Sequence, residues 1–158
     1  MIDFKERPNN LPWPPFIYGG ALLLGGGLEK ALPFEAIDRS LAGLPFWAGL
    51  ALIICGTLID AAAALALRRH GTNVMPNAGT QVLATAGIYG LSRNPIYLGN
   101  TIALLGIALA LRWGWLLLLV PVTVAAISAL AIAREERHLE LRFGDAYRDY
   151  KARVRRWI

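Results

Sequence analysis

The sequence predicts an all-α polytopic membrane protein of about four transmembrane helices, followed by an amphipathic helical tail at the C-terminus. Of the 158 residues, 56% are hydrophobic and only 17% are charged, whereas a soluble domain usually carries about 25% charged residues. The charged residues are segregated, so long apolar segments contain few of them. Basic residues cluster beside these segments, and this favours contact with membrane lipids over nucleic acid despite the net charge of +5.

Two apolar segments form the first part, residues 1–67, of a single membrane domain that spans residues 1–158. Residues 1–15 are polar and rich in proline, which disfavours a long helix, and residues 16–32 form a glycine-rich first helix. Residues 45–67 are long enough to cross a bilayer, for which about 20 residues suffice. This second segment contains Asp60, and an acidic residue inside a membrane helix is a functional candidate. Alternatively, Asp60 reaches Thr57, an arginine or water.

Residues 68–158 comprise a polar loop, an apolar hairpin and the tail. Glycines and prolines interrupt the loop of residues 68–94. At its end, Asn94 is a suitable helix N-cap and Pro95 suits the first helical position. The arms of the hairpin are residues 96–111 and 113–133, and Pro121 is predicted to kink the second arm. The last helix then continues to Phe143, breaks at Gly144 and restarts as an amphipathic helix.

The distribution of basic residues predicts the topology. Thirteen of the sixteen Lys and Arg residues lie in the N-terminal segment, the polar loop and the tail. With four transmembrane helices these three regions share one side of the membrane. The positive-inside rule therefore places both termini and the polar loop in the cytoplasm.

Two polar blocks flank the hairpin. The first reads Arg93-Asn94-Pro95-Ile96-Tyr97-Leu98-Gly99, and the second contains Glu135, Glu136, Leu139, Phe143, Gly144, Tyr147 and Tyr150. Together they resemble the R-H-P-x-Y-x-G and E-E-x-x-L-x-x-x-F-G-x-x-Y-x-x-Y patterns of the isoprenylcysteine carboxyl methyltransferase family and its phospholipid methyltransferase relatives. The resemblance covers roughly residues 71–158.

The resemblance implies a methyltransferase that uses S-adenosylmethionine and acts on a lipophilic carboxylate or amine entering from the bilayer. It implies that both blocks line one cytoplasmic cofactor pocket. The implied cofactor-binding residues are Tyr89, Asn94, Pro95, Tyr97, Leu98, Gly99, Glu135 and Glu136; the implied catalytic residues are Arg93, Tyr97 and Arg153. These residue types suit the cofactor, since carboxylates bind its ammonium or hydroxyls, arginine and helix N-termini bind its carboxylate, and aromatic faces attract its sulfonium.

The block at Asn94 departs from the family pattern, which has histidine there. An asparagine side chain can form hydrogen bonds as histidine does, but it does not titrate. The substitution therefore argues against a general base at Asn94 and is consistent with a residue that positions the cofactor. Methyl transfer requires no metal, and His138 has no second histidine or cysteine close in sequence, so we expect no metal site. We interpret His138 as an interfacial residue.

Other interpretations stay open at this point. Glu135 and Glu136 can form a solvated helix face that pairs with Arg134, Arg137 or His138. Tyr147 and Tyr150 can anchor the tail at the membrane interface, and Arg153 can bind lipid phosphate. For the whole protein, the alternatives are a non-catalytic membrane scaffold of the same fold, or a lipid reductase using a nicotinamide cofactor, because sterol reductases have a similar C-terminal architecture.

Overall fold

A computed structural model describes residues 13–69 and 82–158 of the chain. Its main elements are α1 (Trp13–Ala31), α2 (Leu44–Arg69), α3 (Pro95–Ala110), α4 (Gly114–Ile127), a π-helical segment (Ser128–Ile132), α5 (Ala133–Phe143) and α6 (Asp145–Arg153). Short 3₁₀ turns occur at Arg39–Leu41 and Gly87–Gly90. These described ranges contain no β-strand, so the all-α fold class is confirmed.

The helix boundaries follow the predicted segments with one correction. The first helix begins at Trp13 instead of residue 16, and it includes Pro14 and Pro15. Prolines are accepted in the first turn because the amide hydrogens there have no intrahelical partner. The remainder of the predicted N-terminal segment and the loop residues 70–81 lie outside the described residues.

Helices α2 and α3 pack together unusually closely. Gly49 and Gly56 of α2 face Gly106 and Gly99 of α3. A Cβ atom added at Gly106 would lie 2.6 Å from the carbonyl oxygen of Gly49, and one at Gly99 would lie 2.6 Å from the carbonyl oxygen of Gly56. Small residues at both ends of the crossing therefore let the two backbones touch, as membrane helices commonly do.

A second pairing completes the bundle, because α1 packs along α4 and also contacts the start of α3. Tyr18, Leu104, Leu116 and Ile127 belong to the main buried cluster between these helices. The hairpin turn between α3 and α4 is tied to the α1–α2 connection, since the Arg112 guanidinium donates hydrogen bonds to the carbonyls of Asp38 and Ala42.

The long helices have the composition of membrane spans. The most apolar 18-residue window has a mean hydropathy of 2.3 in Leu44–Arg69 and of 2.6 in the continuous helical stretch Gly114–Phe143. Only 11% and 28% of their most apolar windows are buried inside the protein. Helices of a soluble core bury most of their apolar surface, so these exposed apolar faces fit a lipid environment. Helix α3 is apolar but shorter, and the count of four spans stays a prediction.

The hairpin and the tail follow their predicted order. Helix α4 contains Pro121 and keeps its α-helical assignment there, so the kink at Pro121 stays a prediction. The backbone departs from α-helical geometry later, in the π-helical segment Ser128–Ile132. The helix then ends at Phe143, where Gly144 adopts a φ of 54° that favours glycine. In α6 the buried residues Tyr147 and Tyr150 are three positions apart and their neighbours are exposed, which confirms the amphipathic tail.

Candidate functional site

A hydrogen bond between Tyr97 and Glu135 joins the two polar blocks. Tyr97 lies in the first turn of α3 and is 7% exposed, and Glu135 lies in the first turn of α5. The Tyr97 hydroxyl donates to Oε1 of Glu135 over 2.5 Å. This length is typical of a strong hydroxyl–carboxylate bond. The hairpin thus brings residues 38 positions apart into direct contact.

The backbone of Tyr97 is fixed by hydroxyl groups on two helices. Tyr18 of α1 donates to the Tyr97 carbonyl over 3.0 Å, and Thr101 donates to the same oxygen over 2.7 Å. The two hydroxyl oxygens lie 2.9 Å from each other. Tyr18 of the first helix therefore helps to position Tyr97. In the sequence, Tyr18 is a single tyrosine in an apolar segment, and nothing around it indicates this contact.

Glu136 is the centre of a buried ion network. It is 7% exposed, and Arg156 binds both of its oxygens, with Nε at 3.0 Å from Oε1 and Nη2 at 2.6 Å from Oε2. Nη2 of Arg93 lies 3.2 Å from Oε1. The alternative that Glu136 belongs to a solvated helix face is therefore wrong. Burying this carboxylate is tolerable only because two guanidinium groups compensate its charge.

The guanidinium of Arg93 has an incomplete set of partners. Its Nη1 donates to the Tyr147 hydroxyl over 3.4 Å, and its side chain is 9% exposed. Within the described part of the chain, its Nε is buried and has no hydrogen-bond partner. A buried donor without a partner costs about 1–3 kcal/mol, so this nitrogen is a natural contact for an anionic ligand.

Asn94 occupies the predicted N-cap position of α3, and Pro95 is confirmed as its first residue. The predicted capping by the Asn94 side chain is wrong, because that side chain makes no hydrogen bond to the helix. Instead its Nδ2 donates to the carbonyl of Arg156 over 2.9 Å, while its own backbone N–H donates to Ser92 Oγ over 3.1 Å. The amide thus serves a tertiary contact that local sequence does not specify.

Two tyrosines of α6 pack inside the site rather than at an interface. Tyr147 is 1% exposed and Tyr150 is 3% exposed, so their interpretation as interfacial anchors is wrong. The Tyr150 hydroxyl donates to the carbonyl of Tyr89 over 2.6 Å. Burial raises the pKa of Tyr147 to about 12 and also raises the pKa of Tyr150. Both phenols therefore stay protonated at neutral pH, so Tyr150 can donate to Tyr89 while the Tyr147 oxygen accepts from Arg93.

The other predicted site residues differ in their surroundings. Tyr89 is buried beside Ala63 and Ala84, and it offers its backbone carbonyl to the site. Leu98 is partly buried in the first turn of α3. Arg153 is exposed, and its Nε donates to the carbonyl of Asp149 in its own helix over 3.2 Å. Among the described contacts nothing joins Arg153 to the two polar blocks.

Gly99 has a packing explanation in addition to its place in the first block. A Cβ atom there would collide with the carboxylate of Asp60 on α2. Asp60 Oδ1 is buried and makes no hydrogen bond within the described residues, and the Thr57 hydroxyl donates to the carbonyl of Ile53. The Asp60–Thr57 alternative is therefore wrong, and a carboxylate with an unsatisfied oxygen lies next to the first block.

Predictions from the sequence also concern His138 and metal ligands. His138 is 1% exposed, so its interpretation as an interfacial residue is wrong. Over residues 13–69 and 82–158, no three side chains of His, Cys, Asp or Glu are grouped in a way that could hold a metal ion.

Sequence reasoning missed three contributors to the site, namely Tyr18, Ser92 and Arg156. Ser92 lies directly before the first block and is 2% exposed. Arg156 is one of eight basic residues in the tail. Neither the charge nor the spacing of those residues distinguishes the one that pairs with Glu136.

Comparisons with known proteins show which family the chain belongs to. A family model described as phospholipid methyltransferase matches residues 44–146, which include both acidic residues of the second block and all of the first. The chain is also 40% identical over 63 residues to an uncharacterized protein of Haemophilus influenzae; the match covers 40% of this chain and 79% of that protein. No solved structure matches the chain at a significant level. The chain belongs to the phospholipid methyltransferase family, within the isoprenylcysteine carboxyl methyltransferase-like membrane methyltransferases.

Proposed function

We propose that the protein is an S-adenosylmethionine-dependent methyltransferase whose acceptor is a lipophilic carboxylate or amine that reaches the site from the bilayer. The observation that carries the proposal is the convergence of the two polar blocks, through Tyr97 with Glu135 and through Arg93 with Glu136. S-adenosylmethionine supplies an electrophilic methyl group on a cationic sulfur, together with an ammonium, a carboxylate and ribose hydroxyls.

The side chains of the site fit those groups. Arg93 has a buried Nε without a partner in the described chain, and this suits a carboxylate. Glu135 suits an ammonium or hydroxyl groups, because its one described hydrogen bond comes from Tyr97. Glu136 is already bound by two guanidinium groups, so we assign it to holding Arg93 rather than to the ligand.

Tyr97 is proposed to orient Glu135 and to present its ring to the reacting centre. Its ring is buried in the main core cluster, and an aromatic face attracts a nearby cation. Leu98, Pro95 and Tyr89 then complete an apolar wall that keeps water out, and displacement at a methyl group depends on alignment and on that exclusion of water. We propose that the site faces the cytoplasm, with both termini on that side.

Binding and turnover in detergent test the proposal. We expect the purified protein to bind S-adenosylhomocysteine in calorimetry and to transfer labelled methyl groups to a component of a membrane lipid extract. Glu135→Gln should weaken binding by at least about tenfold, because a hydrogen bond to a charged group contributes about 1.5–3 kcal/mol. The matched control is Glu140→Gln, because Glu140 is 3.5 Å from Lys151 and its side chain is 38% exposed.

Tyr97→Phe distinguishes the contribution of the Tyr97 hydroxyl to activity from that of its ring. Loss of the hydroxyl contact with Glu135 should lower kcat/KM by about tenfold or more, while the protein still folds. A wild-type protein that binds no S-adenosylhomocysteine would contradict the proposed function. Binding of a nicotinamide cofactor in its place would support the reductase alternative.

A further inference from the structure

The C-terminal segment, defined as residues 154–158, lies directly on the first polar block. The backbone N–H of Arg93 donates to the carbonyl of Arg155 over 3.0 Å. Nδ2 of Asn94 donates to the carbonyl of Arg156 over 2.9 Å, and Ser92 Oγ donates to the same carbonyl over 3.4 Å. Trp157 packs against the main buried cluster. Three consecutive residues, Ser92 and the first two of the block, thus hold this segment in place.

The guanidinium of Arg156 completes the attachment. It forms a two-pronged contact with Glu136, at 3.0 Å and 2.6 Å, so both carboxylate oxygens are occupied by one cation. Arg93 adds a second cation at 3.2 Å from Glu136. The three side chains therefore carry a net charge of +1 in a largely buried place. We assign that excess charge to Arg93, whose side chain is 9% exposed, because Arg156, whose side chain is 40% exposed, binds both oxygens of Glu136.

We infer that Arg156 is a positioning residue which neutralises Glu136, so that the charge of Arg93 stays available for the carboxylate of the cofactor. The inference rests on the proposed function. Without Arg156, Arg93 would be the sole described counter-ion of Glu136, and the buried pair would carry no net charge to attract an anion. Arg156 need not touch the ligand for this effect, because it acts through Glu136.

The same arrangement gives Asn94 a defined task. Its amide binds the carbonyl of Arg156 and so fixes the residue that neutralises Glu136. This contact needs a hydrogen-bond donor and not a titrating group, and asparagine satisfies it. The asparagine in place of the family's histidine is therefore compatible with an intact site.

Two ligands that differ in one carboxylate test the inference. The affinities of S-adenosylmethionine and decarboxylated S-adenosylmethionine are measured by calorimetry for wild type, Arg156→Gln and Arg156→Lys. The matched control is Arg155→Gln, because Arg155 is exposed and its substitution removes the same charge from the same segment.

We expect Arg156→Gln to weaken S-adenosylmethionine binding by about tenfold or more and decarboxylated ligand binding by less than about twofold. Arg156→Lys should recover most of the loss, since lysine keeps the positive charge, and Arg155→Gln should match wild type. Equal losses for both ligands in Arg156→Gln would indicate a merely structural role and overturn the inference.

Hydrogen exchange provides a readout that needs no ligand. The backbone carbonyls of Arg155 and Arg156 remain in both variants, so Arg156→Gln, like Arg155→Gln, should leave exchange in a peptide spanning residues 91–98 at the wild-type rate. Accelerated exchange in Arg156→Gln would indicate that Arg156 holds the segment in place instead of neutralising Glu136, and it would overturn the inference. A wild type that binds neither ligand contradicts the proposed function, whereas normal binding by both wild type and Arg156→Gln contradicts this inference alone.

Discussion

Substitution of Gly99 by alanine tests the close crossing of α2 and α3. The new Cβ would lie 2.6 Å from the carbonyl oxygen of Gly56, and ordinary contact with a Cβ atom begins near 3.4 Å. The helices must therefore separate locally by about 0.8 Å, and a gap of this size removes a quarter to a half of the dispersion energy of the affected contacts. The Asp60 carboxylate obstructs the same space and can rotate away, but the Gly56 oxygen belongs to the backbone, so a side-chain movement alone cannot relieve the clash.

The expected cost lies at the upper end of the usual range for overpacking, about 3 kcal/mol. For a chain of this size, 1 kcal/mol shifts Tm by about 2–4 °C, so Gly99→Ala should lower Tm by about 6 °C or more. Thermal unfolding in detergent measures the change. S-adenosylhomocysteine affinity, measured well below Tm, then shows whether Gly99 also contributes to the proposed cofactor site.

Gly20→Ala is the matched control, because a Cβ atom at Gly20 of α1 would have no atom within 4 Å. Alanine favours a helix interior over glycine by about 0.5–1 kcal/mol, so this variant should unfold at the wild-type temperature or slightly higher. If Gly99→Ala and Gly20→Ala unfold at the same temperature, the glycine-mediated contact between α2 and α3 is refuted.

Two further predictions concern the tail and the topology. Tyr150→Phe leaves the carbonyl of Tyr89 without its buried donor, so it should lower the free energy of unfolding in detergent by about 1–3 kcal/mol. The control is Arg148→Gln, at an exposed position of α6, which should not lower the free energy of unfolding. Equal effects of the two substitutions would contradict the buried contact. With Cys55 replaced by serine, a cysteine introduced at Ile158 should resist an impermeant thiol reagent added outside intact cells; labelling from outside would contradict a cytoplasmic C-terminus.

Local chemistry determined the helical elements. Long apolar segments with few charges predict buried or membrane helices regardless of what they pack against. Pro95 and Gly144 mark boundaries because each restricts or permits a particular backbone conformation at its own position. Helix α1 begins three residues before the predicted start, because prolines disfavour a helix interior but are accepted in the first helical turn.

The two polar blocks were also recognised from sequence, since their residues are close together within each block. Their order around one hairpin predicted that they meet, and the Tyr97–Glu135 contact joins them. The predicted alternatives of a solvated acidic face and interfacial tyrosines failed because burial depends on neighbouring elements. The spacing of Tyr147 and Tyr150 indicates which side of α6 they share, but not whether that side faces lipid headgroups or protein.

The partners within the site were decided only by the tertiary structure. Arg153 and Arg156 have the same charge and lie three residues apart, yet α6 ends between them and the chain then turns so that Arg156 reaches Glu136. Tyr18 comes from a helix almost eighty residues before the carbonyl that it contacts. The sequence determines the chemistry of each residue and its local conformational preference. These pairings depend instead on where helix packing places side chains that are distant in the sequence, because a contact forms only between atoms that are close in space.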